Sequence, residues 1–216
     1  MNSKLERWST LAGVLAVPFW VAGVIVISTQ ATGEAGAKIL TAYHDNSNAI
    51  MGGALLFSIG VVLFIWFLGA LRDRFLAAEG GSGRYTSVAF GGGIAASVIA
   101  MLIPVLDEVG AMDNKNLDAS GAAVLHHSTD GFFIASEYTL SVLFFASAVL
   151  MLRYAAFAKW LGWVSLLIGI VLLIGPIGWA AFLFLTPIWT LIVSFTLWRG
   201  SAQPTVAREP ALGASG

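Results

Sequence analysis

Apolar residues do not alternate along this chain; they gather into long runs separated by short polar connectors. A helix needs about 20 consecutive apolar residues to cross a hydrocarbon core of roughly 30 Å. Runs of that kind lie at residues 8–28, 49–71, 86–106, 131–152, 160–175 and 179–198. The last two form one stretch from Trp160 to Trp198, interrupted only by Gly175-Pro176-Ile177-Gly178, a sequence suited to a hairpin turn. The pattern therefore predicts an all-α, integral membrane bundle of six transmembrane helices within residues 1–199, followed by a polar, Ala/Gly/Pro/Ser-rich tail at 200–216 expected to be disordered. A basic start, MNSKLER, also fits a signal peptide, but the run that follows is longer than the usual h-region of about 7–15 residues and holds Pro18 and Trp20. Cleavage there would leave five crossings in unchanged orientation.

Charge placement tests the helix count independently of hydropathy. With the N-terminus inside, Lys4, Arg7, Arg72, Arg74, Arg84, Arg153, Lys159, Arg199 and Arg208 fall on the inner side, and only Lys38 and Lys115 fall outside. Nine of the eleven basic residues thus share one side, the positive-inside pattern, which puts both termini in the cytoplasm of a cell-membrane protein. Trp8, Trp160, Trp163 and Trp198 sit at the expected inner boundary and Trp179 at the outer one, while Trp20, Trp66 and Trp189 lie deeper. Gly92, Ala96 and Ala100 recur every four positions and predict close helix packing. Pro18, Pro104 and Pro187 are candidate kinks.

Composition agrees: 58% of residues are hydrophobic and 11% charged, against about 25% charged in ordinary soluble domains. A net charge of −1 supplies no basic field for nucleic acid, so the lipid bilayer is the first partner. There are no cysteines, which removes disulfides, thiolate metal sites and cysteine nucleophiles, and no cofactor is implied. Motifs for a serine hydrolase elbow, an H-E-x-x-H zinc site and a phosphate loop are missing. The glycine-rich AAEGGSGRY at 77–85 reads as a flexible turn. DNKNLD at 113–118 fails as a calcium loop because Lys115 takes a ligand position and the glycine is missing.

Chemistry concentrates on the outer side. Before the second crossing the chain reads TAYHDNSNAIMGG, with Tyr43, His44 and Asn48; between the third and fourth it reads LDEVGAMDNKNLDASGAAVLHHSTD, with Asp107, Glu108, His126, His127 and Asp130. Those residues, with Glu137 and Tyr138, are the candidates for binding a small molecule or a membrane partner from outside. Helical spacing places His126 and Asp130 at i and i+4, and Asp130, Glu137 and Ser141 along one stripe. Glu137 goes deepest, roughly 9 Å below a boundary at Gly131 given about 1.5 Å per residue. A charged carboxylate there is costly, so Glu137 should face protein or a watery cavity, or keep its proton. Three roles follow: a hydrogen bonder to Tyr138, Ser136, Asn48 or a histidine; the floor of an outward-open polar pocket; or a group near the headgroups. As a structural hydrogen bonder it would tolerate Glu137→Gln and suffer from Glu137→Leu. Zinc held by His44, His126 and His127 would need the adjacent histidines, about 100° apart on a helix, to converge.

The stretch LFIWFLGALRDRFLAAEGGSGRYTSVAFGGG at 63–93, with AYHDNSNAI before helix 2 and AKWLGWVSLLIGIVLLIGP at 158–176, resembles a group of uncharacterised bacterial polytopic membrane proteins defined by a domain of unknown function. The resemblance implies the six-helix architecture and carries no activity or catalytic residue. Three functions remain open from the sequence: a non-enzymatic binding protein, a proton-coupled carrier using Glu137 with His126, His127 or Asp130 as relay, and a zinc-dependent intramembrane hydrolase.

Overall fold

The computed structural model describes residues 3–30 and 35–200; the tail expected to be disordered lies outside them, apart from Gly200 at the end of the last helix. Among these residues all regular structure is helical: α1 (Ser3–Gln30), α2 (Gly36–Asp45), α3 (Ser47–Glu79), α4 (Arg84–Met112), α5 (Ala119–Arg153), α6 (Lys159–Leu172), α7 (Gly175–Ala180), a π-helical segment (Ala181–Leu185) and α8 (Thr186–Gly200). Five helical stretches are long and apolar enough to cross a membrane, and α6, with 14 residues, is a shorter apolar one. Large apolar side chains stand on the outer surface, Trp66 and Trp163 each 63% exposed. Such a surface suits acyl chains rather than water.

Packing is antiparallel from neighbour to neighbour. Gly23 of α1 lies against Phe57 of α3, and a Cβ at Gly60 would meet the backbone nitrogen of Trp20 at 2.7 Å, so only glycine lets these two helices approach this closely. Gly92 packs on Val142 and Leu143, bringing α4 onto α5, with Ala96 and Ala100 buried along the same face. Between them the helices enclose an aromatic core: Trp20 meets Phe57, Phe64 and Phe182 edge-on, and Trp189 meets Phe67 and Phe144. Trp66, by contrast, points outward.

The end of the bundle that carries Arg72, Arg74, Arg84, Arg153, Lys159 and Arg199 is built from firm turns. Glu79 accepts hydrogen bonds from the backbone nitrogens of Tyr85 and Thr86, both 2.8 Å, and from the Thr86 hydroxyl at 2.6 Å. One carboxylate thereby satisfies orphan donors in the first turn of α4. The glycine-rich stretch is consequently a shaped turn, with Gly80, Gly81 and Gly83 at positive φ. Arg74 donates from Nε to the Ala156 carbonyl at 2.9 Å and lies over the Phe157 ring, tying the end of α3 to the α5–α6 turn.

The C-terminal third departs most from the expected pattern. Gly162 faces Met151 and Leu152, Gly169 faces Phe144 and Phe145, and Gly178 faces Glu137, so α6 and α7 run back along α5. Trp189 then donates from Nε1 to Ser165 Oγ at 2.9 Å, which returns α8 alongside α6. The α6–α7 corner stands at the height of Glu137, roughly 24 Å from Arg153 at about 1.5 Å per residue. The Gly175-Pro176-Ile177-Gly178 break is therefore the start of a helix rather than a separate loop. The π segment has a local cause: Pro187 lacks an N–H and its ring would collide with the Leu183 carbonyl. The Thr186 N–H turns to the Ala181 carbonyl, which also accepts the Thr186 hydroxyl at 3.0 Å. Helix ends also extend past the expected apolar runs, α3 by the charge-bearing stretch 72–79 and α5 by residues 119–130.

Candidate functional site

At the end opposite the arginines, a ten-residue helix covers the bundle. The segment that contains Tyr43 and His44, expected as a polar connector, is α2, whose Ile39, Ala42 and Tyr43 form one buried face. Ile39 and Tyr43 are four residues apart, one helical turn, so a short amphipathic stripe suffices to seat it. Tyr43 passes so close to Gly110 of α4 that any side chain there would overlap its ring. Asn114 secures the lid by donating from Nδ2 to the Ala111 carbonyl at 2.6 Å and to the Tyr43 carbonyl at 3.3 Å.

Beneath α2 lies a three-residue polar centre. Tyr43 donates its hydroxyl to Asp107 Oδ1 at 2.7 Å, and His126 Nδ1 lies 2.9 Å from the same oxygen. Asp107 is 2% exposed. Burial, reinforced by the adjacent Asp107 carboxylate, raises the Tyr43 hydroxyl well above the ordinary phenol range, so it remains a donor at any physiological pH. A carboxylate oxygen only accepts, which assigns the hydrogen between the other pair to His126 Nδ1 and leaves Nε2 as the free ring nitrogen. Asp107 on α4 thus joins α2 to α5.

The centre closes one end of a half-enclosed cavity of about 190 Å³. Asp107, His126, Thr129 and Ser28 supply its polar wall; Val24, Ile27, Phe57, Ile103, Pro104, Phe133, Phe182 and Leu183 supply the rest. Phe57 and Phe182 are shared with a smaller pocket of about 20 Å³ deeper in the bundle, walled by Trp20, Val61, Phe64 and Leu140. That volume is about one water's worth of space, and its lining is apolar apart from Ser97, whose hydroxyl is given to the Gly93 carbonyl. The cavity therefore ends on aromatic rings.

The other candidates stand outside this centre, although the His127 ring lies 5.8 Å from that of His126. His44 is exposed and pairs with its neighbour Asp45 at 3.2 Å; Asn48, His127 and Asp130 are exposed, Glu108 is half-buried, and Tyr138 is 47% exposed. The three histidines do not converge. Among the described residues no group of three or more His, Asp or Glu side chains is placed to hold a metal ion. Glu137 is 1% exposed but does not line the cavity; its neighbour across the helix interface is Gly178. None of the expected partners reaches it, and Oε1 takes no hydrogen bond from a described residue.

Sequence reasoning missed Ser28 and Thr129 on the polar wall and all the phenylalanines. Thr129 follows His126 by three positions and shares its face, a signal that was available. Nothing in the pattern separates Phe57, Phe133 and Phe182 from the phenylalanines that fill the core. No family model, curated protein or solved structure matches the chain.

Proposed function

We propose that this is a multi-pass protein of the cell membrane whose outer half binds a small, largely apolar molecule without transforming it. The observation that carries the reading is the cavity between α1, α3, α4, α5 and the π segment, with aromatic and aliphatic walls and a buried Tyr43–Asp107–His126 centre at one end. Pockets for small ligands combine such walls with a few fixed polar groups. Membership of the uncharacterised polytopic family belongs to the same proposal, resting on the stretches at 63–93 and 158–176.

In this reading the arginine-rich end faces the cytoplasm and α2 faces outward. The outer boundary falls near Gly131, where the exposed face of α5 changes from His127, Ser128 and Asp130 to Ile134 and Tyr138. About 20 residues further, one hydrocarbon thickness, lies Arg153. The α6–α8 hairpin supplies the fifth and sixth limbs, its corner at the height of Glu137, roughly 9 Å below that boundary, because α6 has only 14 residues. Because its two arms are antiparallel, both termini share the cytoplasmic side. The chain has no cysteine, so single cysteines report topology cleanly. Lys115→Cys should react with a membrane-impermeant maleimide on intact cells and Ser82→Cys should not; the reverse would invert the orientation.

Ligand binding is tested by photolabelling the purified protein with 3-trifluoromethyl-3-phenyldiazirine, a compact apolar arene. Label should concentrate at Ile103, Phe133 and Leu183 and be suppressed by excess propylbenzene. Label spread over Val62, Leu167 and other surface positions without suppression would refute the cavity as a binding site. The carrier reading draws on the buried Glu137, but the cavity stops at Trp20, Phe57, Phe64 and Leu140, where among the described residues only Ser97, whose hydroxyl is given to the Gly93 carbonyl, and the Trp20 N–H are polar. Binding is therefore the better supported function.

A further inference from the structure

We infer that the ligand of this cavity carries a hydrogen-bond donor as its polar group, an ammonium or a hydroxyl on a compact apolar body. The inference rests on the cavity being a binding site and follows from an inventory of its polar wall. Thr129 gives its hydroxyl hydrogen to the His126 carbonyl at 2.6 Å, and Ser28 gives its own to the Ile25 carbonyl at 3.2 Å. With both hydrogens turned to helix carbonyls, the two side-chain oxygens are left with lone pairs. Tyr43 and His126 Nδ1 are both committed to Asp107 Oδ1. Asp107 Oδ2 takes no hydrogen bond from a described residue, and a carboxylate has only acceptors to present.

Among the described residues, what the wall has left for a ligand is thus Asp107 Oδ2, Thr129 Oγ1, Ser28 Oγ and, in the neutral ring, the lone pair of His126 Nε2. Even with Nε2 protonated, a single donor stands among three acceptor atoms. A ligand carbonyl or carboxylate would leave those acceptors unmatched in a site whose lining, among the described residues, holds no Lys or Arg. A ligand N–H or O–H matches them. Three phenylalanines line the cavity, and aromatic rings attract an alkylammonium more than a carboxylate.

The test is competition against the phenyl diazirine label in the intact, purified protein, using four molecules of one shape: propylbenzene, 3-phenylpropylamine, 3-phenylpropan-1-ol and 3-phenylpropanoate. At least one of the two donors should suppress cavity labelling at a concentration about tenfold lower than propylbenzene, the effect of one well-made hydrogen bond. The propanoate should do no better than propylbenzene. An amine stronger than the alcohol identifies a cationic ligand, and the reverse or parity identifies a neutral one; both support the inference. Equal suppression by all four, or a propanoate as strong as the donors, would overturn the donor inference while leaving the cavity as a binding site. If none of the four suppresses the label, the binding reading itself falls.

Discussion

Asp107→Ala should cost this protein about 2–4 kcal/mol of stability, since leaving a buried donor unsatisfied costs about 1–3 kcal/mol and two donors lose their acceptor. The substitution leaves the Tyr43 hydroxyl, a fully buried group, and His126 Nδ1 without their shared acceptor, and it unseats α2 from α4 and α5 together. Asp107→Asn keeps an acceptor oxygen at the same place and should cost less, about 1–2 kcal/mol. Tyr43→Phe removes one donor only, and its effect should not add to that of Asp107→Ala, because both changes delete the same bond. Thermal unfolding of purified protein in one detergent gives the ranking, and proteolysis within residues 36–45 reports release of the lid. A native-like melting point for Asp107→Ala would mean that α2 is held by Ile39 and Tyr43 packing alone. Alkali offers a second check: the folded-state value of Tyr43 lies above its unfolded value near 10, so its contribution is complete below about pH 10 and declines as pH rises beyond it.

The long apolar helices were legible because hydropathy reads them directly, and among the described residues Arg72, Arg74, Arg84, Arg153, Lys159 and Arg199 gather at one end of the bundle. What escaped was structure that continues past the apolar runs. Residues 72–79 and 119–130 are polar enough to read as connectors, yet each prolongs a helix already nucleated by an apolar segment, where every added residue gains a backbone hydrogen bond at little further cost. Helix α2 escaped for the opposite reason: its apolar face is two large residues wide, too short for periodicity to register. The pairing of Tyr43, Asp107 and His126 could not be read at all, since 64 residues separate the first two and only the packing of α2 across α4 and α5 brings them together. Adjacent His126 and His127 illustrate the same limit. One turns inward to Asp107 and the other to solvent, a choice made by the rotation of α5 rather than by residue type.

Glu137→Leu should raise stability, by about 1–3 kcal/mol, the penalty normally attached to a buried polar group that lacks its hydrogen bond. The side chain is buried against Gly178 at the α6–α7 corner, where a Cβ on that glycine would come within 2.8 Å of Oε2. Nearby hydroxyls do not help it: Ser136 donates to the Phe133 carbonyl, Thr139 to those of Ala135 and Ser136, and Ser141 to that of Tyr138. Leucine removes the unmatched Oε1 from the interface, whereas Glu137→Gln retains a polar amide there and should gain little. This order, Leu above Gln above or equal to the native protein in thermal unfolding, is opposite to that of a structural hydrogen bonder, for which Gln is tolerated and Leu is harmful. A carboxyl group that costs stability where it stands is the kind of residue chains retain for use. Its position explains what that use would act on, because the corner it touches joins α6 to the π segment that supplies Phe182 and Leu183 to the cavity. Loss of stability in Glu137→Leu, with Glu137→Gln unchanged, would instead make Glu137 a structural hydrogen bonder and remove the connection.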